Sequence, residues 1–313
     1  MNNVIITGAT SMLGLALINE CIKNKTCVTA IVRKNSYKKH LIPVSELITT
    51  IECDVSDFAS IAAGRYESYD ALYHFAWEST NNTERNNIDA QSQNIGYTLD
   101  AVRLASKLDC KKFVYAGSQA EYGRVEGLIS PEIAVSPDSA YGVAKYAAGK
   151  LSNMLCGQLG VDFIWTRIFS IYGIHDKPST MVMYCIASLL KGQKPSLTRC
   201  EQLWDYLNSR DAATALYMLG SKGKAGTIYN IGSGNSHPLV DYVHAIRDAI
   251  DPSLALGIGE CTYATGQVMH LCPDISALKK DTGFVPTVTF SNGISETIEY
   301  VRNTMNTASK YNR

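Results

Sequence analysis

The stretch Val4-Ile-Ile-Thr-Gly-Ala-Thr-Ser-Met-Leu-Gly14 decides the fold of this chain. An apolar run enters a turn bounded by two glycines, and the residues that follow have the apolar spacing of a helix. A Gly-rich turn between the first strand and the first helix lets the backbone approach a pyrophosphate, whose charge is favoured at a helix N-terminus. The pattern therefore predicts a dinucleotide site whose turn residues are Gly8, Ser11, Met12, Leu13 and Gly14.

Ser11 departs from this pattern, because the middle position of such a turn is usually glycine. A plain strand-to-helix turn is the alternative interpretation. The position of the motif favours a dinucleotide site, since it lies on the first strand and a second strand of the right type follows about 20 residues later.

Short apolar runs rich in β-branched residues alternate with helical patterns along the first half of the chain. These runs occupy residues 4–6, 28–32, 47–51, 71–75, 112–116 and 163–168. Strands that alternate with helices pair in parallel through right-handed crossovers. We expect an α/β fold built on a doubly wound parallel sheet of the Rossmann type.

The alternation ends near residue 173, which divides the chain into two predicted parts. Residues 1–172 form the dinucleotide-binding domain, and residues 173–313 form a smaller C-terminal substrate-binding lobe. Residues 200–234 are expected to return to the first domain, because 227–231 has the pattern of a strand. The lobe contains an apolar helix at 181–190 and, after residue 234, an irregular Gly-rich region to about residue 270.

The composition is that of a globular protein, with 313 residues of which 46% are hydrophobic. Lys and Arg number 29 and Asp and Glu number 29, which argues against nucleic acid as a partner. The nine cysteines are scattered, without a C-x-x-C pair or clustered histidines, so we expect free thiols in a reducing cytosol and no metal site. No signal sequence or membrane span is evident, so we expect a cytoplasmic protein without membrane contact.

Ser118, Tyr141 and Lys145 form the candidate catalytic group. In Ser139-Ala-Tyr-Gly-Val-Ala-Lys145 the tyrosine and the lysine are four residues apart, which places them on one face of a helix. A lysine ammonium and a hydroxyl hydrogen bond from Ser118 both favour the phenolate form of Tyr141. The tyrosine could then exchange a proton with a substrate oxygen while hydride moves at the carbon.

The end of the second strand indicates the cofactor. A site specific for NAD usually carries Asp or Glu there for the ribose 2′-hydroxyl, whereas arginine accommodates a 2′-phosphate. The sequence is Ile31-Val-Arg-Lys34, without an acid. Arg33 therefore favours NADP(H). NAD is the alternative, because Arg33 and Lys34 could simply form a solvated strand end.

Together these residues resemble the extended short-chain dehydrogenase/reductases, and within them the NAD(P)-dependent sugar-nucleotide epimerase/dehydratase family. The resemblance covers nearly the whole chain. Beyond the turn at 7–14, the shared motifs are Cys53-Asp-Val55, His74-Phe-Ala76, Gly117-Ser-Gln-Ala-Glu-Tyr-Gly123, Ser136-Pro-Asp-Ser-Ala-Tyr141, Arg167-Ile-Phe-Ser-Ile-Tyr-Gly173, Trp204-Asp-Tyr206, Tyr229-Asn-Ile-Gly-Ser-Gly234 and Gly283-Phe-Val-Pro286.

The resemblance implies further site residues. At the cofactor it implies Asp54, Val55, Phe75, Ala76, Asn94, Ile168 and Ser170, in addition to Tyr141 and Lys145. At the substrate it implies Trp77, Gln119, Ser170 and Trp204. Many relatives carry arginine at position 204 to contact the diphosphate, so Trp204 either stacks on a base or sugar or fills the lobe.

The resemblance also resolves a duplicated motif and implies an assembly. Tyr146-Ala-Ala-Gly-Lys150 has the same spacing as the catalytic pair, but the family register selects Tyr141. Tyr146 is rotated by roughly 140° around the helix and is expected to pack or to lie at an interface. Family analogy implies a homodimer through the helices that start near Asn94 and Tyr141.

The choice of reaction depends on the residues after Ser118. In the 4,6-dehydratases of the family, an Asp-Glu pair there handles the elimination of water. This chain has Gln119 and Ala120, neither of which can act as acid or base. The motifs look most like those of reductases of nucleotide-linked 4-keto-6-deoxyhexoses.

The expected activity is therefore NADPH-dependent reduction of a nucleotide-diphospho-4-keto sugar at C4, with Tyr141 as the proton donor. An NAD-dependent sugar-nucleotide 4-epimerase or 4-dehydrogenase stays open. A non-catalytic protein that senses nucleotides or acts as a scaffold is the alternative of another class.

Overall fold

The structure is a computed structural model, and it describes residues 1–62, 66–81 and 83–311, without the side chains of residues 308–311. The strands are β1 (Asn3–Thr7), β2 (Cys27–Val32), β3 (Ile48–Glu52), β4 (Tyr69–His74), β5 (Cys110–Ser118), β6 (Leu128–Ile129), β7 (Asp162–Ile168), β8 (Ser170–Tyr172), β9 (Ser196–Leu197), β10 (Leu203–Trp204), β11 (Tyr206–Asn208), β12 (Ile228–Ile231), β13 (His237–Pro238), β14 (Gly257–Ile258) and β15 (His270–Pro273).

The α-helices are α1 (Met12–Lys23), α2 (Ile88–Lys107), α3 (Ala140–Leu159), α4 (Met181–Leu190), α5 (Ser209–Lys222), α6 (Leu239–Ile250), α7 (Ser276–Thr282) and α8 (Phe290–Tyr311). Short 3-10 helices cover Lys39–Leu41, Val55–Ser60 and Gln119–Glu121.

Seven of the strands form one sheet in the order β12-β7-β5-β4-β1-β2-β3, and every neighbouring pair in it is parallel. The chain winds outward from β1 to β3 on one side and from β4 to β12 on the other. This confirms the predicted doubly wound sheet. Its topological switch point lies between β1 and β4, and ligands of such sheets bind at the carboxyl ends of the strands beside that point.

The core lies on both faces of this sheet, because successive side chains of a strand point to opposite sides. Val4 and Ile6 of β1 pack with the layer that contains α1 and α5. Ile5, between them, points to the other face, where it packs with the layer that contains α2 and with the side chains that β5 and β7 direct to the same face. The apolar runs of the sequence thus belong to strands that are covered on both faces.

Outside the main sheet, the second half of the chain forms a small sheet, in which β6 of the first half also pairs, and a separate apolar cluster. The small sheet has the order β13-β10-β15-β6. The cluster gathers buried residues of α4, α6 and α8, among them Ile186, Val243 and Ile298. By contrast, β12 pairs with β7 and so lies in the main sheet.

The prediction of an irregular region from residue 234 to about residue 270 is wrong in its first half, where α6 lies. The buried residues of this helix are Leu239, Tyr242, Val243 and Ile246. Their spacing of three and four residues is the signal for an amphipathic helix. Glycines before and after the segment conceal this signal in the sequence.

Two predictions about the whole chain can be compared with the structure. The cysteines are free thiols, as predicted. Within the described ranges, no helix combines the length and the apolar character that crossing a bilayer requires.

Helix α3 carries two of the candidate catalytic residues, and Gly149 fixes how closely it lies against the sheet. A Cβ atom at Gly149 would overlap the ring of Trp165, which is buried on β7. Gly157, two turns further along the same helix, has open space around it. The contact with Trp165 therefore requires glycine at position 149, whereas no contact requires it at position 157.

We predict that Gly149→Ala lowers the free energy of unfolding by about 1–3 kcal/mol, because the methyl group forces α3 or the Trp165 ring to move. The matched control is Gly157→Ala, which should be neutral or stabilise the protein by roughly 0.5–1 kcal/mol. Urea denaturation of both variants tests this, and equal effects of the two substitutions would contradict it.

Candidate active site

The glycine-rich turn forms one wall of a cavity of 880 Å³. Gly8 has a φ of 65°, and a Cβ atom there would lie 2.7 Å from the amide nitrogen of Ala76. Both facts require glycine, so β1 and β4 can approach each other closely at this edge. The turn residues that line the cavity are Gly8, Ser11, Met12 and Leu13, together with Thr10, which the sequence did not single out.

Ser11 is compatible with this turn for a reason that the glycine pattern does not reveal. Its φ is −73°, a value that any residue adopts, and its hydroxyl accepts a hydrogen bond from the backbone N–H of Gly14 at 3.0 Å. Ser11 therefore caps α1, whose N-terminus begins at the cavity wall. The turn, the cap and the helix N-terminus together fit the pyrophosphate of a dinucleotide.

The opposite end of the cavity lies beyond β2 and β3. Its lining residues are Ile31, Val32, Arg33, Ser36, Tyr37, Lys38, Cys53, Val55 and Phe58. None of these described residues is acidic, and Arg33 lines the cavity as predicted. Lys34 instead turns away and forms an ion pair with Asp57 at 2.7 Å. Lys38, which the sequence did not single out, supplies the second cation.

The three candidate catalytic residues line the same cavity. Ser118 ends β5, and Tyr141 and Lys145 lie in the first turns of α3. The ammonium of Lys145 donates a hydrogen bond to the carbonyl oxygen of Ala116 at 2.8 Å. It also lies 3.7 Å from the centre of a Trp77 ring and 5.8 Å from the centre of the Tyr141 ring.

The pKa of the Tyr141 phenol shifts upward in this structure, whereas the sequence predicted a downward bias from Lys145. Burial of the phenol raises its pKa, and Arg85 and the Ser118 hydroxyl oppose that rise. The ammonium of Lys145 lies further from the centre of the phenol ring than the guanidinium of Arg85 does, at 5.8 Å against 4.3 Å. Burial also lowers the pKa of Lys145 to about 7, which weakens its charge at neutral pH.

Tyr146, the tyrosine of the duplicated motif, lies away from the cavity. Its ring packs against the Trp165 ring at a centroid distance of 5.9 Å. This confirms that Tyr146 packs in the structure, whereas Tyr141 lines the cavity.

Glu121 is a buried acid next to the catalytic serine that the sequence did not single out. Its carboxylate accepts hydrogen bonds from the Ser118 backbone N–H at 2.8 Å, the Trp165 indole at 3.1 Å and the Arg167 guanidinium at 2.8 Å. Glu121 and Arg167 are 0% and 2% exposed. Glu121 thus fixes the backbone of Ser118 and has no open path to a substrate.

The other predicted cofactor residues divide into two groups. Val55, Phe75, Ala76 and Ile168 line the cavity. Gly14, Asp54, Asn94 and Ser170 lie behind its wall. Asn94 is 1% exposed, and its amide accepts from the backbone N–H of Glu78 at 2.9 Å and donates to the carbonyl of the same residue at 3.1 Å. It therefore holds the chain that follows β4.

The predicted substrate residues are likewise divided. Trp77 lines the cavity, while Gln119, Ser170 and Trp204 do not. Trp204 is half-buried between two apolar clusters, and its indole N–H donates to the Ser170 hydroxyl at 2.9 Å.

Asp205, which follows Trp204 in the shared motif, has a structural function. It is fully buried, and its carboxylate accepts hydrogen bonds from the backbone N–H groups of Ser233 at 2.8 Å and Asn235 at 3.0 Å. It therefore holds the turn that follows β12.

Two loops complete the cavity wall. Glu78, Ser79, Thr80, Asn81 and Glu84 follow β4, in the polar stretch 77–93 for which the resemblance left an active-site loop and an ordinary surface loop open, and His175, Asp176 and Lys177 follow β8. The second loop was not predicted, although it leaves the carboxyl end of a parallel strand, which is the signal that could have identified it. In the part of the chain that is described, no cluster of His, Cys, Asp and Glu could hold a metal ion.

The parallel sheet, the turn at its switch point and the Ser-Tyr-Lys group on one wall of the cavity define a dinucleotide-dependent enzyme of the short-chain dehydrogenase/reductase class. A model of the NAD dependent epimerase/dehydratase family matches residues 4–232. The chain belongs to this family, as the resemblance of its motifs predicted.

Curated relatives align over nearly the full length of the chain. The dTDP-glucose 4,6-dehydratase of Salmonella typhimurium is 27% identical over 337 residues, which cover 96% of this chain and 93% of the relative. The enzyme of the same name from Streptomyces niveus is 23% identical over 320 residues, which cover 96% and 92%.

Solved structures with the same fold include two sugar-nucleotide epimerases. UDP-glucuronic acid 4-epimerase from Bacillus cereus in complex with NAD has a TM-score of 0.84 at 18% identity, over 97% of this chain and 98% of the other. UDP-N-acetylglucosamine 4-epimerase from Methanobrevibacter ruminantium M1 has a TM-score of 0.87 at 20% identity, over 97% and 99%.

Proposed function

We propose that this protein uses NADPH to reduce a nucleotide-diphospho-4-keto sugar at C4, and that Tyr141 donates the proton. The observation that carries the proposal is the meeting of Ser118, Tyr141 and Lys145 on the wall of a cavity that begins at the glycine-rich turn. The names of similar proteins, such as dTDP-glucose 4,6-dehydratase and UDP-N-acetylglucosamine 4-epimerase, include a sugar nucleotide, and this supports the substrate class.

The chemical step follows from these groups. A bound nicotinamide cofactor supplies the hydride that adds to C4. Ser118 donates a hydrogen bond to the carbonyl oxygen and orients it. The carbon–oxygen double bond becomes a single bond, and the oxygen takes the phenol proton of Tyr141, so that the product is a secondary alcohol. Lys145 would hold the ribose of the cofactor, and the fraction of it that is protonated would add positive charge near Tyr141.

The dehydratase relatives are named for the loss of water. This chain lacks an acid and a base for that reaction at the expected positions. Gln119 and Ala120 occupy the positions after the catalytic serine. Glu121, the next residue, cannot replace them because it is fully buried and accepts three hydrogen bonds. This supports a reaction that consists of hydride and proton transfer alone.

We further propose that the chain divides into a cofactor domain at 1–172, with 200–234 returning to it, and a substrate lobe at 173–313. Gln119, Ser170 and Trp204 would face the nucleotide sugar. The hydrogen bond between Trp204 and Ser170 supports a shared surface there.

Arg33 and Lys38 support NADPH over NADH. Both line the end of the cavity beyond β2 and β3, where none of the described lining residues is acidic. An arginine at this position can pair with the 2′-phosphate of NADPH, whereas a carboxylate would repel it.

A 4-epimerase or 4-dehydrogenase that uses NAD is the second candidate. It is favoured by the family, whose model is described as NAD dependent, and by the solved 4-epimerase with bound NAD.

A protein that binds the cofactor without turnover is the candidate of another class. The dinucleotide that copurifies distinguishes them, since tightly bound NAD favours the epimerase.

We also propose that the protein is a homodimer. Val143, Leu151 and Met154 on α3 are 50%, 43% and 64% exposed, as is Ile88 at the start of α2 at 74%. Large apolar residues that share a helix face favour a partner surface, and a second copy of α2 and α3 fits this one. The mass of the particle in solution tests the proposal.

The first prediction from this function concerns the two tyrosines of the duplicated motif. Tyr141→Phe should keep cofactor binding and lower turnover by about 100- to 10,000-fold, because a general acid contributes that much. Tyr146→Phe is the matched control and should retain near full activity. The measurement is consumption of NADPH with a panel of 4-keto sugar nucleotides, and unchanged turnover in Tyr141→Phe would overturn the assignment.

The second prediction concerns the cofactor. Arg33→Ala should weaken NADPH binding by about tenfold and leave NADH binding unchanged, because a charge-assisted hydrogen bond contributes about 1.5 kcal/mol or more. Lys34→Ala is the matched control, since that side chain pairs with Asp57 instead. Fluorescence titration measures both affinities. An equal response of NADPH and NADH to Arg33→Ala would contradict the preference.

A further inference from the structure

The segment that follows β4 covers the catalytic residues and is anchored on both sides of the cavity. Lys177, beyond β8, donates hydrogen bonds from its ammonium to the hydroxyl and the carbonyl oxygen of Thr80 at 2.6 and 3.2 Å. At the other end, the side chain of Asn86 accepts from the backbone N–H of Ala140, in the first turn of α3, at 3.2 Å. These contacts fix the position of Arg85 between them.

Arg85 lies on Tyr141. The central carbon of its guanidinium is 4.3 Å from the centre of the phenol ring, which is the geometry of a cation–π contact. Among the described residues, no carboxylate forms an ion pair with Arg85. Its positive charge therefore acts on the phenol without an ion-pair partner in the described part of the chain.

Lys145 supplies a weaker charge to the phenol than Arg85 does in this arrangement. Its ammonium is held by the Ala116 carbonyl and the Trp77 ring and is further from the phenol than the guanidinium is. Burial reduces its protonation near neutral pH. Arginine stays protonated throughout the working range of pH.

We propose that Arg85 is a positioning residue for proton transfer: its guanidinium lies against Tyr141 and stabilises the phenolate that forms when the proton leaves. The inference rests on the proposed function of Tyr141. Three other groups face the phenol: the Ser118 hydroxyl, the Lys145 ammonium and the buried Glu121 carboxylate. The Ser118 hydroxyl also favours the phenolate, whereas the Glu121 carboxylate disfavours it.

The proposal predicts a shift in pH dependence and not only a loss of rate. Without the guanidinium, the phenol holds its proton to a higher pH. In the direction of reduction, the decline of kcat/KM at high pH should move upward. In the direction of oxidation, the onset of activity should move upward as well. The expected displacement is about 1 pH unit, which corresponds to about tenfold in phenolate at a fixed pH.

The experiment compares Arg85→Met, which removes the charge and keeps the bulk of the side chain, with Arg85→Lys, which restores a charge. Arg103→Met on the exposed face of α2 is the control for loss of an arginine elsewhere. Profiles of kcat/KM against pH are measured for all four proteins. We expect the upward shift in Arg85→Met, a smaller shift in Arg85→Lys and none in Arg103→Met.

A second readout does not depend on finding the substrate. The ultraviolet absorbance of tyrosinate is titrated with NAD⁺ present, and the Tyr141→Phe protein is subtracted from the wild type, so that only Tyr141 remains. The same subtraction is made in the Arg85→Met background. The proposal expects the difference titration to move to higher pH when Arg85 is replaced.

Two results would overturn the proposal. One is a loss of kcat/KM that is equal at every pH with an unmoved tyrosinate titration, which would make Arg85 structural. The other is an increase in KM alone, which would make it a substrate contact. If no sugar nucleotide is turned over, or if Tyr141→Phe remains active, the proposed function fails. The tyrosinate titration still decides the influence of Arg85 in that case.

Discussion

The active site depends on the buried ion pair between Glu121 and Arg167. The pair joins the end of β5 to β7, and the same carboxylate holds the backbone of Ser118 and the indole of Trp165. Trp165 in turn supports α3 at Gly149. The desolvation of two charges is costly, and removal of one partner of such a pair typically costs about 3–5 kcal/mol. The pair therefore fixes the strand that carries the serine relative to the helix that carries the tyrosine and the lysine.

The sequence was sufficient to predict the elements that depend on local pattern. Strands buried on both faces produce the apolar runs, the approach of β1 to β4 requires Gly8, and a helix requires that Tyr141 and Lys145 share a face. Arg33 at the end of β2 follows from the same topology. These features have a fixed spacing along the chain, so that they can be found without knowledge of tertiary contacts.

The features that were missed depend on contacts between distant segments. Lys145 donates its hydrogen bond to Ala116 and lies against the Trp77 ring, from the segment after β4, and the spacing of Tyr141 and Lys145 does not reveal either contact. Lys34 pairs with Asp57, which leaves Lys38 at the cavity. The sequence does not show whether Glu121 is exposed or buried, because its burial depends on the ion pair with the distant Arg167. The helix α6 is the exception, since its spacing was present in the sequence and was obscured by neighbouring glycines.

The central claim is that hydride is delivered from the cofactor to C4 of a nucleotide-linked 4-keto sugar. Its most direct test is reduction with NADPH in which both hydrogens on the reactive carbon of the nicotinamide are replaced by deuterium, followed by NMR of the sugar product. The account predicts a product alcohol with deuterium at C4 and an equal amount of oxidised cofactor. A product without deuterium, or an epimer formed without net consumption of NADPH, would contradict it.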